Sequence, residues 1–347
     1  MGLLRVLGNG VLWVGVLLLV GSALGAPGAD LHGGHGPGHA PKRCAHTRLR
    51  QEWRDMRPRE QQAYIRAVKC LQGLPAKDTA LDRKYTRFDE FVIAHVSVAD
   101  VIHGVGQFLP WHRQFGFLYE TALRQECAYR GPFPFWDWTR DTNGTRKIGE
   151  SPLFDAATGF GGDGVPGTYT VPTDNDNSTA CVADGPFAWP KLTLHVGPGR
   201  RRMDHCLTRG IDETHRALFT REAVEGILGW ETYDGFWNAL DGRPYKKEWR
   251  LHDGGHLTVG GDMTSFYSSP NDPLFYLHHA GLDRVWWTWQ HANPKKRLQE
   301  IGGRSSPNPP YGVVTLDYPL EFAGFAPTVP IRDAIDVGYE PYCYAYP

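Results

Sequence analysis

Fifteen histidines stand in a chain of 347 residues, and six of them fall into two trios whose spacing suits metal binding. His95, His103 and His112 make up the first; His252, His256 and His279 make up the second. In LHDGGH, His252 and His256 are four residues apart, so both rings lie on one helical face and can reach one ion. A single histidine usually packs or hydrogen-bonds, whereas three on apolar faces each need a partner. Three neutral imidazoles per ion leave coordination positions open, and nitrogen-only sites suit copper, zinc or iron. A hydrolytic zinc site is disfavoured because a HExxH protease needs a glutamate between its histidines, and here Asp253, Gly254 and Gly255 stand there.

The flanking segments must position these rings. FDEFVIAHVSVADVIHG predicts an apolar-rich helix carrying His95, with His103 near its end or in the next loop. In FLPWHRQFGFLYE, Pro110 suits the first turn of a new helix. That places His112 in the same turn, with Phe115, Leu118, Ala122 and Leu123 as the inward stripe. In SPNDPLFYLHHAGLDRVWWTWQ, Asp272 is expected to cap a helix whose first residue is Pro273. Phe275, His279, Leu282 and Trp286 then share a face. His278 points about 100° away from His279, so only one of them can face a given metal. Asp283, one turn after His279, is a candidate for orienting nearby groups. Gly254 and Gly255 are poor helix formers that permit close approach by another element.

The remaining sequence bounds the setting. With 41% hydrophobic residues and a net charge of -1, the chain can bury one large core or two modest ones, and it has no basic run to bind nucleic acid. Residues 1–25 read as a signal peptide, with Arg5, an apolar centre too short to span a bilayer comfortably and a small-x-small site at Ala23-Leu24-Gly25. The expected product is secreted and has no membrane partner after cleavage. Residues 26–43 form a Gly/Pro/His-rich, flexible leader, and residues 44–347 are expected to be one catalytic domain. Six cysteines without a CxxC motif predict disulfides in an oxidising compartment, with all 15 pairings open. The tripeptides at Asn143 and Asn177 are glycosylation sequons. Helical patterns cover 48–71 and roughly 211–240. Residues 139–215 read as a long loop region pinned by Cys181 and Cys206. The tail from Asn308 suits irregular structure.

FLPWHRQFGFLYE, FPFWDWT and NDPLFYLHHAGLDRVWWTWQ resemble the tyrosinase, catechol oxidase and haemocyanin family of coupled dicopper proteins, over roughly residues 44–345. The chain length and the closing Tyr344-Ala345-Tyr346 are similar to short secreted fungal members. The resemblance implies a mainly α fold: a four-helix bundle holding two copper ions, with long loops and a few short strands. His95, His103 and His112 match the first-copper ligands. His252, His256 and His279, the second of its pair, match those of the second copper.

The sequence also departs from the family. Val101 stands where many relatives carry a thioether-forming cysteine, so no such link is expected. Pro244 occupies the place of the usual water-holding glutamate; Asp241, shifted by an insertion, and Glu248 are the alternative acids. Asp253 follows His252 and is either a proton acceptor for phenols or a hydrogen-bonding residue. Leu257 follows His256, and Phe266 matches the substrate gate. The resemblance implies oxidation of o-diphenols by O2 to o-quinones, with weaker hydroxylation of monophenols. A full tyrosinase and a haemocyanin-like oxygen-binding protein are the alternatives. The implied partners are phenolic small molecules and O2.

Overall fold

The first long helix, α1 (Pro58–Gly73), opens on proline and buries Tyr64, Ile65, Val68 and Leu71. Its start lies ten residues later than the apolar pattern from Arg48 predicts, because residues 48–52 form strand pairs and Trp53–Asp55 a 3-10 turn. In this computed structural model the described residues are 42–166, 170–172, 178–241 and 248–347, with backbone alone for 170–172 and 178–179. Residues 1–41, which hold the expected signal peptide and nearly all of the leader, lie outside them, as do Asn177 and Pro244.

Helix α2 (Arg87–Ile102) begins with a capping box: Thr86 Oγ1 accepts from Asp89 N at 3.1 Å and Asp89 Oδ2 accepts from Thr86 N at 2.8 Å. His103 is its C-cap. Helix α3 runs Phe108–Glu126, so it starts two residues before Pro110. Proline is tolerated at the third position because the first four helical N–H groups have no intrahelical acceptor. His112 therefore sits one turn into α3, two residues deeper than the proline predicts.

The helical stretch expected over 211–240 is divided into a 3-10 helix (Glu213–Phe219), α4 (Arg221–Leu228) and α5 (Tyr233–Leu240). Thr220 and Thr232 make the breaks: each hydroxyl accepts an N–H at 3.3 Å, from Ala223 and Gly235 respectively. Helix α6 (Leu251–Val259) carries His252 and His256, and α7 (Leu274–Ala292) carries His278 and His279. Asp272 Oδ1 accepts from Leu274 N at 2.9 Å, so the expected cap is present with the helix starting one residue after Pro273.

The architecture is mainly α with strands of two or three residues, as the resemblance implies. Helices α2, α3, α6 and α7 supply the bundle around the histidines. Arg48–Leu49 pairs in parallel with Tyr344–Ala345, and Gln51–Glu52 with Pro134–Phe135. The cysteines pair as Cys44–Cys343, Cys70–Cys127 and Cys181–Cys206; the last closes the 139–215 loop region as expected. No helix of the described residues is long and apolar enough to cross a membrane.

One buried cluster locks α3, α7 and the tail together. Asp283 accepts from Arg113 Nε at 2.6 Å, Arg50 at 3.2 Å, and the hydroxyls of Tyr344 and Tyr346 at 2.6 and 2.7 Å. Burial alone would push this carboxyl up, but Arg113 and Arg50 offset that and hold it below its ordinary value. Asp283 thus serves the helix packing. It does not orient His279, whose Nδ1 has no hydrogen-bond partner.

Candidate metal centre

The middle of α2, its C-cap and the start of α3 bring His95, His103 and His112 together, with one donor atom of each lying within 4.8 Å of the others. Each Nδ1 faces a backbone carbonyl: Tyr267 O at 2.6 Å, Ala99 O at 2.9 Å and Phe108 O at 2.9 Å. A carbonyl only accepts, so each Nδ1 carries the proton and each Nε2 keeps a lone pair. The Nε2 atoms of His95 and His112 are buried without any hydrogen-bond partner, an arrangement that a metal ion would satisfy. Burial pushes His95 down to about 4 and His112 well below its usual value, so both rings are neutral.

His252, His256, His278 and His279 form the second group. His256 Nδ1 donates to Met263 O at 2.7 Å, and its Nε2 lies 3.3 Å from His279 Nε2. One ion at a metal–nitrogen distance of about 2.0–2.1 Å can touch both. His278 is engaged differently. Trp138 Nε1 donates to its Nδ1 at 3.1 Å, and its Nε2 donates to His252 O at 3.0 Å. Both ring nitrogens are thereby committed within the protein. Burial pushes His278 down to about 3, which keeps it neutral.

The glycines between the paired histidines mark the expected close approach. A Cβ on Gly255 would stand 2.3 Å from His278 Cε1, and one on Gly254 2.6 Å from Phe219 Cδ1. The two trios abut. The rings of His112 and His279 stack at 4.3 Å between centroids, and those of His103 and His252 lie 6.0 Å apart. Phe108 packs between them, 4.5 Å from His112 and 4.6 Å from His252, while Phe275 lies 4.1 Å from His279.

The candidate acids sit in three different settings. Asp241, fully buried at the C-cap of α5, stands with Oδ1 2.8 Å from His252 Nδ1, and its Oδ2 accepts from Gly104 N at 3.0 Å. Glu248 is an exposed residue 3.6 Å from Arg250 and does not line the cleft over the histidines. Asp253 Oδ2 accepts from Arg250 N at 2.8 Å, capping the start of α6. Val101 is half exposed on the outer side of α2.

A cleft of about 160 Å³ opens over His103, His252 and His256, with Trp249, Leu257, Met263 and Phe266 among its walls. The Phe266 ring is centred 4.8 Å from that of His103 and is 39% exposed. Sequence reasoning missed the parts of Trp138, Tyr267 and Met263 in holding histidine nitrogens. The FPFWDWT segment was the available signal for Trp138; nothing local marks the two carbonyls.

Comparison with known proteins is consistent with this geometry. Residues 85–292 match the family described as the common central domain of tyrosinase. The chain is 33% identical to the tyrosinase-like protein phomQ1 of Diaporthe leptostromiformis, covering 88% of this chain and 79% of that one. It is 31% identical to the N-acetyl-6-hydroxytryptophan oxidase ivoB of Emericella nidulans, covering 86% and 92%. Among solved structures, a polyphenol oxidase from Thermothelomyces thermophila aligns with a TM-score of 0.77 at 31% identity, over 88% of this chain and 91% of that one. A functional unit of octopus haemocyanin shares the fold, with a TM-score of 0.54 at 19% identity, over 86% and 67%.

Proposed function

This chain belongs to the tyrosinase family of copper oxidoreductases, which act on phenols with O2, and we propose that it is a secreted oxidase converting o-diphenols to o-quinones, with slower hydroxylation of monophenols. The donor set fits two coppers. His95, His103 and His112 would hold one; His252, His256 and His279 would hold the other, and His278 would stay a structural residue. Bound copper supplies oxygen binding and the electron transfers, so that two diphenols yield two quinones while one O2 becomes two waters.

The protein's own groups set the conditions. Four Nδ1–H groups held by carbonyls, and the Asp241 carboxylate at His252, fix ring orientation and raise ligand basicity. Phe108 and Phe275 pack apolar rings against His252 and His279. The aromatic and aliphatic walls of the cleft suit a phenolic ring.

The single observation that carries the substrate preference is the placement of Phe266 beside His103. A diphenol needs only to bring its oxygens to the metals. A monophenol must also turn its ring to be attacked and must lose its proton. Phe266 restricts that turn, and Asp253 spends a carboxylate oxygen on its own helix. Phe266 and Trp249 stand exposed at a cleft open to solvent, which favours turnover over oxygen carriage. The N-terminal segment and the three disulfides support secretion. Initial rates of the copper-loaded protein on a matched catechol and monophenol test the reading: the catechol should turn over faster, and equal rates would overturn it.

A further inference from the structure

The gate residue is held from outside the cleft. Phe266 meets Tyr267 edge-on, with ring centroids 5.1 Å apart. The Tyr267 hydroxyl donates to Asp100 Oδ1 at 3.0 Å, and the Arg200 guanidinium lies 4.3 Å above the Tyr267 ring. Arg200 also pairs with Asp100 Oδ2, so both oxygens of that carboxylate are engaged. These three residues come from distant parts of the chain: α2, the turn after Pro198, and the loop before α7. Gly199 N donates to Ser265 Oγ at 3.1 Å, which packs the 197–200 turn against the gate loop. The same Tyr267 holds His95 through its carbonyl.

We propose that Asp100, Arg200 and Tyr267 form an external clasp that positions Phe266 over the first histidine trio and so sets which phenols the site accepts, an inference that rests on the oxidase reading above. Asp100 and Arg200 are both more than half exposed, and exposed ion pairs hold weakly and are screened by salt. The clasp therefore biases Phe266 without locking it. Loosening it lets the ring swing off His103 and admits phenols with bulkier ring substituents.

The test uses the full chain and the variants Asp100→Asn, Arg200→Gln and Phe266→Val. Amide hydrogen exchange over residues 265–268 of the metal-free protein should quicken in the first two variants, a readout independent of activity. In the copper-loaded protein, kcat/KM for 4-tert-butylcatechol relative to catechol should rise about threefold in both, the scale of a weak surface ion pair. A halide-free salt should shift the wild type the same way and leave Asp100→Asn unmoved. Unchanged exchange in both clasp variants overturns the clasp. So does an unchanged substrate ratio in them while Phe266→Val moves it. If Phe266→Val does not move the ratio either, the gate reading itself falls.

Discussion

Asp241 lies 2.8 Å from His252 Nδ1 through one carboxylate oxygen, and through the other it takes the N–H of Gly104, the residue after His103. One buried carboxylate thus ties the two histidine trios. Asp241→Asn keeps the shape and removes the charge. Copper at the second trio should weaken about 10–100-fold, so that dialysis against a chelator leaves nearer one copper per chain than two. Two coppers held as firmly as in the wild type would show that Asp241 only packs.

His278 and His279 separate structure from metal binding. His279→Ala should remove mainly the second copper and nearly all activity. His278→Ala should keep both coppers and instead lower the melting temperature, because Trp138 Nε1 loses its acceptor and His252 O loses one donor. A buried indole N–H left unsatisfied costs about 1–3 kcal/mol. Metal analysis beside thermal unfolding reads both effects, and the reverse pattern would exchange the roles of the pair.

Phe266→Val should raise the hydroxylase-to-oxidase ratio several-fold by freeing space beside His103. Asp253→Asn should change it less, since an asparagine oxygen can still accept from Arg250 N. Rates on a matched monophenol and catechol decide the point. A collapse of hydroxylation in Asp253→Asn alone would make that carboxylate the proton acceptor.

Gly255→Ala tests the approach of α6 to α7. The added Cβ would stand 2.3 Å from two atoms of the His278 ring, which is packed on all sides. Overpacking of this kind costs about 1–3 kcal/mol. A chemical denaturation curve with an unshifted midpoint would mean that the helices separate freely.

Asp283 gives the fold an acid limit. Its carboxyl is held below the ordinary value, so the folded state binds that proton less readily than the unfolded chain. Its contribution is present above the unfolded value of about 3.9 and is lost as pH falls through the folded one. Asp283→Asn should cost about 3–5 kcal/mol at pH 7 by leaving the buried Arg113 without a counter-charge, while Arg50 keeps Glu120 at 3.0 Å. The gap from wild type should shrink below about pH 4. A gap that stays constant down to acid unfolding would assign the loss to packing alone.

The two trios and their helices were legible in the residue order because helical spacing is local: four residues between His252 and His256 put both rings on one face, whatever surrounds them. The same locality explains the start of α7, where Asp272 sits beside the N–H group it caps; the Thr86 cap of α2 is as local but went unread. The boundary errors arose where a competing local signal prevailed, as Thr220 and Thr232 did in cutting 211–240 into three helices.

Tertiary structure alone decided what Asp241 and His278 touch. Asp241 and Gly104 are 137 residues apart, and no period in the chain relates them. Asp241, as an insertion-shifted counterpart, and Glu248 are both open as candidates in the residue order, yet Glu248 is exposed and Asp241 fully buried. His278 and His279 differ by about 100° of helix rotation; only the position of Trp138 on another segment shows which ring spends its nitrogens on the protein. Cysteine pairing was likewise undecided among 15 partitions, because a disulfide forms where the fold brings two Cα atoms to about 5.5–6 Å, a distance that folding sets and residue order does not.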